Sequence, residues 1–277
     1  MAILTETDCS NKSDNVLLTL LVACYNEQDN LEDTLDTLLS ALGNFDFSWE
    51  IIIADDGSVD NSATVAKSYI CRNNRFPLRL VVNTVNQGLA QTYIDGAFLG
   101  RGEYFRLVCG DNVESKETFI KIFERLGDKD MIVPFHYGST KRSLHRSAIS
   151  SLYTKIVNAI SGYNLKYYNG MAVLRRRDVM RWHTNYHGFG FQADMLVRLL
   201  DVGRTYVEVP VLVSDRNAGT SSAFRFKNIL SVSHTLLDLS IRRLGRELYP
   251  ARRRRPSPSI ASAAVRQRPA IADERLT

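Results

Sequence analysis

Residues 51–62 read IIIADDGSVDNS, an apolar run that stops abruptly in two carboxylates, a glycine and a string of small polar residues. Continuous rather than alternating hydrophobicity marks a strand covered on both faces, so this run is predicted to be an inner strand of a parallel sheet. Such a strand needs helices above and below it, which commits the chain to an α/β architecture. Ligands of open α/β sheets sit beyond the carboxyl ends of the strands. Asp55 and Asp56 therefore fall where a ligand would be, and Gly57 permits a tight turn there. Carboxylates at that place suit ribose hydroxyls, a base edge or a divalent cation rather than a bare phosphate. The same residues would also serve a plain strand-to-helix turn, with Ser58 or Asp60 capping the helix that follows.

The rest of the chain repeats the pattern. Strands are expected at Val16–Cys24, Trp49–Ala54, Leu78–Val82, Tyr104–Cys109 and Met131–Phe135. Between them, helices are expected at Asn30–Leu42, Asn61–Arg72, Gly88–Leu99 and Lys116–Leu126. Regular strand–helix alternation predicts a largely parallel sheet with helices on both faces. The second half is less regular, with helices expected at Ala148–Ile160 and Phe191–Val202 and strands at Met171–Arg175 and Thr205–Val213. From Phe224 an amphipathic helix can be drawn with Leu236, Leu237, Ile241 and Leu244 on one stripe and Asp238, Arg242 and Arg243 elsewhere. The domain organisation expected is a polar, unstructured segment 1–15, an α/β domain 16–223, the amphipathic helix 224–249 and an unstructured Arg/Pro-rich tail 250–277. Four of the seven prolines fall in that tail.

Charge is informative only once it is located. The formal net charge is +5, yet residues 242–268 hold nine arginines against Glu247 alone, so the body is near neutral and the excess is appended. A nucleic-acid-binding core would spread its basic residues over a folded face, so no nucleic-acid partner is expected. Cys9, Cys24, Cys71 and Cys109 are scattered without metal-ligand spacing. Cys24 and Cys109 end core strands and read as reduced, buried thiols, which fits a cytoplasmic setting. The N-terminus shows no basic segment leading into an apolar core, and no apolar stretch approaches the roughly 20 residues that span a bilayer. Arg175–Arg177 read as a surface cluster at a strand end, and the histidines form no cluster with ligand spacing.

Four strand ends carry ligand-like residues: Tyr25-Asn26-Glu27, Asp55-Asp56-Gly57-Ser58, Asn86-Gln87-Gly88 and Cys109-Gly110-Asp111-Asn112. Each alone suits a helix cap, but parallel strands deliver all four to one edge of the sheet. In order and spacing they resemble the family 2 glycosyltransferases with a GT-A (Rossmann-like) fold. Tyr186–Arg198, then VEVPV, Asp215-Arg216 and Gly219-Thr220-Ser221-Ser222 are similar to the dolichol- and polyprenol-phosphate sugar synthases within that family. The resemblance spans roughly residues 16–235. It implies an α/β fold with a mostly parallel sheet plus the C-terminal amphipathic helix, and an inverting transferase that moves a sugar from a nucleotide-sugar donor, UDP- or GDP-linked.

By the same resemblance Ala23, Tyr25, Glu27, Asp55 and Asp56, with Gly88, are donor-binding positions, and Asp111 is the last carboxylate of a DxD motif that binds Mg²⁺ or Mn²⁺ across the donor diphosphate. Gln192 matches a glutamine that completes the metal shell. Arg216 and Ser221 match a loop that closes over phosphate groups, and the spacing from Arg146 to Ser150 is similar to the family's acceptor segment; Arg142 and Arg146 are further candidates to hold a polyprenol-phosphate acceptor, a solvated loop being the other reading of them. Two departures stand out. Cys109 replaces the first carboxylate of the DxD motif and is a soft ligand for a hard cation, so either metal affinity is weaker or Asn112 and Glu114 compensate. Ser222 stands where a lysine is usual.

The acceptor chemistry divides the alternatives. A hydroxyl acceptor in polysaccharide or glycolipid synthesis needs a general base, for which Asp194 is the candidate catalytic residue. A lipid phosphate is already an anion and needs cations to hold it, for which the arginines are candidates. A nucleotide-sugar-binding protein without turnover is a third possibility, raised by Cys109. An amphipathic helix ending in arginines suits the headgroup region of an anionic membrane, which places the protein peripherally at the inner face of the cell membrane; a helix packed on the body with a solubilising tail is the other reading.

Overall fold

The computed structural model describes residues 7–8, 15–137, 144–181, 190–212 and 226–248. Four strands form the centre: β2 (Leu18–Cys24), β3 (Trp49–Asp55), β4 (Leu78–Val82) and β5 (Tyr104–Cys109), all mutually parallel. A two-residue β1 (Thr7–Asp8) adds antiparallel to β4, within the segment expected to lack structure. On the other side β7 (Val173–Arg175) runs antiparallel between β5 and β6 (Met131–His136), and β8 (Tyr206–Val211) closes the sheet parallel to β6. The order is β1-β4-β3-β2-β5-β7-β6-β8. The chain thus leaves β2 in one direction through β3 and β4 and returns to its other flank with β5, the kind of reversal beside which α/β sheets bind ligands.

Both faces of the sheet are covered, as the isoleucine run requires. Ile51 and Ile53 pack into a core under α1 (Leu31–Leu42), α2 (Ser62–Arg72) and α4 (Lys116–Phe123). Ile52 points into the second core, under α3 (Leu89–Leu99), α5 (Leu144–Ser161), α6 (Arg176–Arg181) and α7 (Phe191–Asp201). Helix α8 (Phe226–Leu248) lies against α5 and α7, with Thr235 and Leu239 buried. Gly190, which starts α7, is held to glycine by close approach, since a Cβ there would run into Thr235.

Three details differ from the sequence reading. Helix α4 stops at Phe123, although Leu126 remains buried in the turn beyond it, where Gly127 takes φ 95°. The α6 turn is an element that periodicity missed, because six residues are too short to show a repeat. Arg175 and Arg176 are not a surface cluster. Arg175 is buried, pairs with Glu103 and lies 4.4 Å over the Tyr104 ring, while Arg176 donates to the carbonyls of Gly102 and Ala97.

The amino edge of the sheet is pinned by Glu50, which is fully buried. Its Oε1 accepts from the Thr19 hydroxyl at 2.7 Å and the Arg101 N–H at 2.5 Å, and its Oε2 meets Arg101 Nε at 2.9 Å and Arg79 Nη2 at 3.4 Å. Removing one member of a buried ion pair leaves the other charge uncompensated, so Glu50→Ala should cost about 3–5 kcal/mol of folding free energy in a urea titration. A loss below about 1 kcal/mol, typical of a solvent-screened pair, would show that this network is dispensable.

Candidate active site

Register places the four ligand-like strand ends side by side. Cys24 pairs with Asp55 across β2 and β3, and Ala23 pairs with Ala54 on one side and Cys109 on the other. Paired residues share a face, so the floor just below the edge is made of small side chains and leaves room above it. The turns are stitched across this junction by backbone bonds: Asp56 N–H to Cys24 carbonyl, Gly110 N–H to Ala23 carbonyl, and Asn83 N–H to Asp55 carbonyl, all between 2.8 and 2.9 Å.

The loops after β2 and β3 are braced by side chains that sequence reading assigned to helix capping or passed over. The Asn26 N–H donates to Ser58 Oγ and the Val59 N–H to Asn26 Oδ1, both at 2.9 Å. The Glu27 N–H donates to Ser62 Oγ, and the Gln28 N–H to Asp60 Oδ2. Asn26 sits at φ 57°, a left-handed conformation that asparagine tolerates better than most residues. Partial desolvation would raise the Asp60 carboxyl, but hydrogen bonds from the Ser62 hydroxyl and the Ser62 and Gln28 backbone outweigh it and hold the group below the usual carboxylate range. Asp60 is therefore a brace that stays ionised.

Asp55 and Asp56 divide their work. Asp55 Oδ1 accepts the Ser58 N–H at 2.8 Å, so this carboxylate is fixed at the lip of β3. Asp56 is 5% exposed and turns the other way. Its Oδ1 accepts Asn83 Nδ2 and the Gln87 N–H, each at 2.9 Å, and its Oδ2 accepts the Gly88 N–H at 2.8 Å. The second aspartate thus holds the loop after β4 and aims Gly88 at the start of α3. Gly57 makes the crossing possible: it adopts φ +72°, and a Cβ there would stand 2.8 Å from the Asn86 nitrogen. Burial, and then the charges of Asp55, Asp60, Glu27 and Asp56, push the Cys24 thiol far above its ordinary range. The edge is electrostatically negative and Cys24 is inert.

The other candidates are distributed unevenly. Tyr25 is 46% exposed at the rim, and Glu27 Oε2 accepts from Asn30. Asp111 lies in the turn after β5, followed by Asn112 in a left-handed conformation at φ 50°. Cys109 is half-buried rather than buried, because it ends its strand at the open edge. Gln192, in the first turn of α7, donates from Nε2 to Met171 Sδ at 3.1 Å, while its Oε1 is buried and accepts no hydrogen bond. It lines a small apolar cavity with Tyr93, Leu107, Met171, Phe191 and Met195.

Asp194 is not at the edge. It is fully buried and its carboxylate is shared between Arg198, at 2.8 Å, and Arg242 of α8. Two helical positions beyond Gln192 turn the side chain by just over half a circle, which moves Asp194 from the cavity to the α7–α8 contact. Arg142, Arg216 and Ser221 lie outside the described residues, as does the side chain of Arg146.

Oxygen ligands for a hard cation can be tested against these positions. Glu114 cannot compensate for Cys109, since its Oε1 is paired with Arg106 at 2.5 Å. Asn112 Oδ1 accepts from Thr37 at 3.3 Å. Among the described residues no group of three or more His, Cys, Asp and Glu side chains gathers as a metal cage. Of the expected metal positions, Asp111 brings a carboxylate in the turn after β5 and Gln192 an amide oxygen that accepts no hydrogen bond. That set suits a Mg²⁺-like ion that takes most of its ligands from phosphate and water. The loop brace can be checked by itself. Asp56→Ala leaves three donors without their acceptor and should lower stability by about 2–4 kcal/mol in chemical denaturation; a loss under about 0.5 kcal/mol would mean that the loop after β4 holds its shape by other means.

Solved structures share this fold at low identity. Glucosyl-3-phosphoglycerate synthase from Mycobacterium tuberculosis, in complex with Mn²⁺, UDP and phosphoglyceric acid, superposes with a TM-score of 0.63 at 15% identity, covering 81% of this chain and 78% of that one. The mannosyltransferase PcManGT from Pyrobaculum calidifontis, in complex with GDP-Man and Mn²⁺, gives 0.54 at 15% identity over 86% of this chain and 76% of that one. Among curated relatives, the dolichyl-phosphate beta-glucosyltransferase of Dictyostelium discoideum is 35% identical over 123 residues, 43% of this chain and 36% of that protein. The undecaprenyl-phosphate 4-deoxy-4-formamido-L-arabinose transferase of Klebsiella pneumoniae (strain 342) is 22% identical over 223 residues, 79% of this chain and 66% of that protein. The chain thus spans between about a third and two-thirds of the length of these two relatives. The sequence pattern described as Glycosyl transferase family 2 matches residues 19–182, more than half of the chain and the whole stretch from β2 to α6 that builds this edge, so the chain belongs to glycosyl transferase family 2.

Proposed function

We propose that this chain transfers a sugar from a UDP- or GDP-linked donor to a polyprenol phosphate, with inversion at the anomeric carbon. Asp55, Tyr25 and Glu27 hold the nucleoside over the small floor at Ala23, and Asp56 acts indirectly by shaping the Gly88 turn. Asp111 and Gln192 hold Mg²⁺ or Mn²⁺, which supplies charge neutralisation for the departing nucleoside diphosphate. Arg142, Arg146, Arg216 and Ser221 hold the acceptor phosphate.

The observation that carries the acceptor assignment is the burial of Asp194 in its ion pairs with Arg198 and Arg242. A hydroxyl acceptor must lose a proton as it attacks, and the carboxylate best placed in sequence to take it is committed elsewhere. A lipid phosphate requires no base: its anionic oxygen forms the new bond to the anomeric carbon as the bond to the diphosphate breaks. The names of the dolichyl-phosphate and undecaprenyl-phosphate relatives support the same class of acceptor.

A surface fit for a membrane accompanies the site. Helix α8 presents Leu237, Ile241, Leu244 and Leu248 to solvent at 57–74% exposure, while its polar residues Asp238 and Arg242 face α7 in ion pairs. Leu239 faces the core as in an ordinary surface helix, but such a helix would turn polar residues to solvent where α8 turns these leucines and Ile241. Ile149, Leu152 and Ile156 extend the apolar area on α5, and the arginine-rich segment follows α8 in sequence. No helix among the described residues is long and apolar enough to cross a membrane. We assign to this face a peripheral attachment to the anionic inner leaflet, with residues 16–223 as the catalytic domain, 224–249 as the attachment helix and 250–277 as its basic extension.

With UDP- and GDP-sugars and Mg²⁺ or Mn²⁺, turnover should depend on added undecaprenyl phosphate and fall at least about 100-fold in Asp111→Ala, as loss of an electrostatic transition-state contact does. Turnover indifferent to the lipid phosphate would remove the acceptor assignment, and a full rate in Asp111→Ala would remove the metal site. In vesicle co-sedimentation, Leu237→Asp with Ile241→Asp should release the protein from anionic membranes, and high salt should weaken the wild type. Equal binding of variant and wild type would place the attachment elsewhere.

A further inference from the structure

Arg106, like Glu50 of β3 and Arg79 of β4, is a buried charged residue that contradicts the apolar composition of the inner parallel strands. It sits in the middle of β5, in the run YFRLVC, and is completely buried. Its guanidinium lies 5.2 Å from the Phe119 ring centroid, donates from Nε to the Met171 carbonyl at 3.1 Å, and pairs through Nη2 with Glu114 at 2.5 Å. Nη1 is buried and finds no acceptor. Burying a charge is weak evidence of a stabilising role, and a cation left with an unsatisfied N–H is weaker still.

What the guanidinium does is join two segments. Glu114 closes the turn that carries Asp111, five residues after Cys109 leaves the sheet. Met171 leads into β7 and is the residue whose sulfur receives the Gln192 amide. Met171 is therefore gripped twice, by Arg106 through its carbonyl and by Gln192 through its side chain. Asp111 and Gln192 lie 81 residues apart in sequence, and Arg106 bonds both to Glu114, three residues after Asp111, and to Met171, which meets the Gln192 side chain.

We propose that Arg106 is a positioning residue that sets the separation between Asp111 and Gln192, so that one divalent cation bound with the nucleotide can be reached by both. The proposal rests on the metal and donor reading given above. It also explains why Glu114, a carboxylate close to a depleted DxD motif, is not a ligand: its charge is spent on the guanidinium. A fork is required, because two nitrogens must serve two acceptors in different directions, and lysine cannot reproduce that.

The test replaces the pair by apolar residues of similar size, Arg106→Met with Glu114→Leu, an exchange that buried ion pairs commonly tolerate. Calorimetric titration of UDP and GDP against the full chain, at stepped Mn²⁺ concentrations, reads the site without turnover. The Mn²⁺ concentration that half-saturates nucleotide binding should rise about tenfold or more, as loss of outer-shell support does in other metal sites. The thermal midpoint without ligand should stay near that of the wild type, and kcat should fall more than KM for the donor rises. Arg106→Lys should fail to restore the Mn²⁺ response. If the double variant does not fold, Glu114→Gln decides: it keeps a hydrogen bond to the guanidinium but not the charge, and should still raise the Mn²⁺ requirement. Wild-type Mn²⁺ dependence in whichever variant folds overturns the positioning role alone. A wild-type chain that binds neither nucleotide in a metal-dependent way overturns both the site reading and this inference.

Discussion

The parallel register of β2 is the constraint on which the site depends. Pairing Cys24 with Asp55 and Ala23 with Cys109 puts the ends of three strands within one turn of each other, and the Asp56, Gly110 and Asn83 backbone bonds extend that alignment into the loops. A slip of one residue would invert the side chains of a strand relative to its neighbours and carry Ala23 off the floor. The double-sided core prevents such a slip, since Ile51 and Ile53 belong to one layer and Ile52 to the other. Hydrophobic burial far from the edge therefore fixes where the polar groups stand at the edge.

Carboxylates that are buried or half-buried then do work that their sequence context disguises. Asp56, Asp60, Glu114 and Asp194 are all carboxylates near the motifs, and each is committed to the protein itself. Asp56 collects three donors from the loop after β4, Asp60 ties the loops after β2 and β3, Glu114 serves Arg106, and Asp194 fastens α7 to α8. Preorganisation of this sort has a physical rationale. A ligand that must be gripped by loops loses affinity if those loops have to be ordered on binding, so loops ordered beforehand by buried carboxylates cost the ligand less. Asp55, itself buried and bonded to the Ser58 N–H, and Asp111 end β3 and the turn after β5 at the same edge of the sheet.

Helix α8 joins the proposed attachment face to the helix that carries Gln192. Its inward side carries the Arg242–Asp194 and Asp238–Arg198 pairs, its outward side an apolar stripe, and its Thr235 lies against Gly190 at the start of α7, two residues before Gln192. An exposed apolar stripe is thereby built onto the same helix pair that holds a candidate metal ligand, so under the proposed function one helix contact would tie the acceptor side to the donor side.

Much of the fold was legible in the chain because its causes are local and repetitive. Strands β4 and β5 and the helices α1 to α3 follow from apolar runs, periodicity and the glycine or polar residues that end them, and the convergence of strand ends follows from parallel pairing alone. Short elements such as α6 were not legible, having fewer residues than one repeat needs. Nor was the division of labour among carboxylates. Asp55 and Asp56 are adjacent and chemically identical, and Asp194 stands two residues from Gln192; only the direction in which each side chain leaves its strand or helix decides whether it meets its own turn, a neighbouring loop or an arginine. Arg106 gave a signal in sequence, a cation inside a strand buried on both faces, but its partners Glu114 and Met171 lie 8 and 65 residues away and come together only through the antiparallel insertion of β7 beside β5. The sequence by itself determined that an acidic edge exists and which strands form it. Tertiary structure decided which acids are tools and which are struts, because that depends on distances between segments that no local pattern encodes.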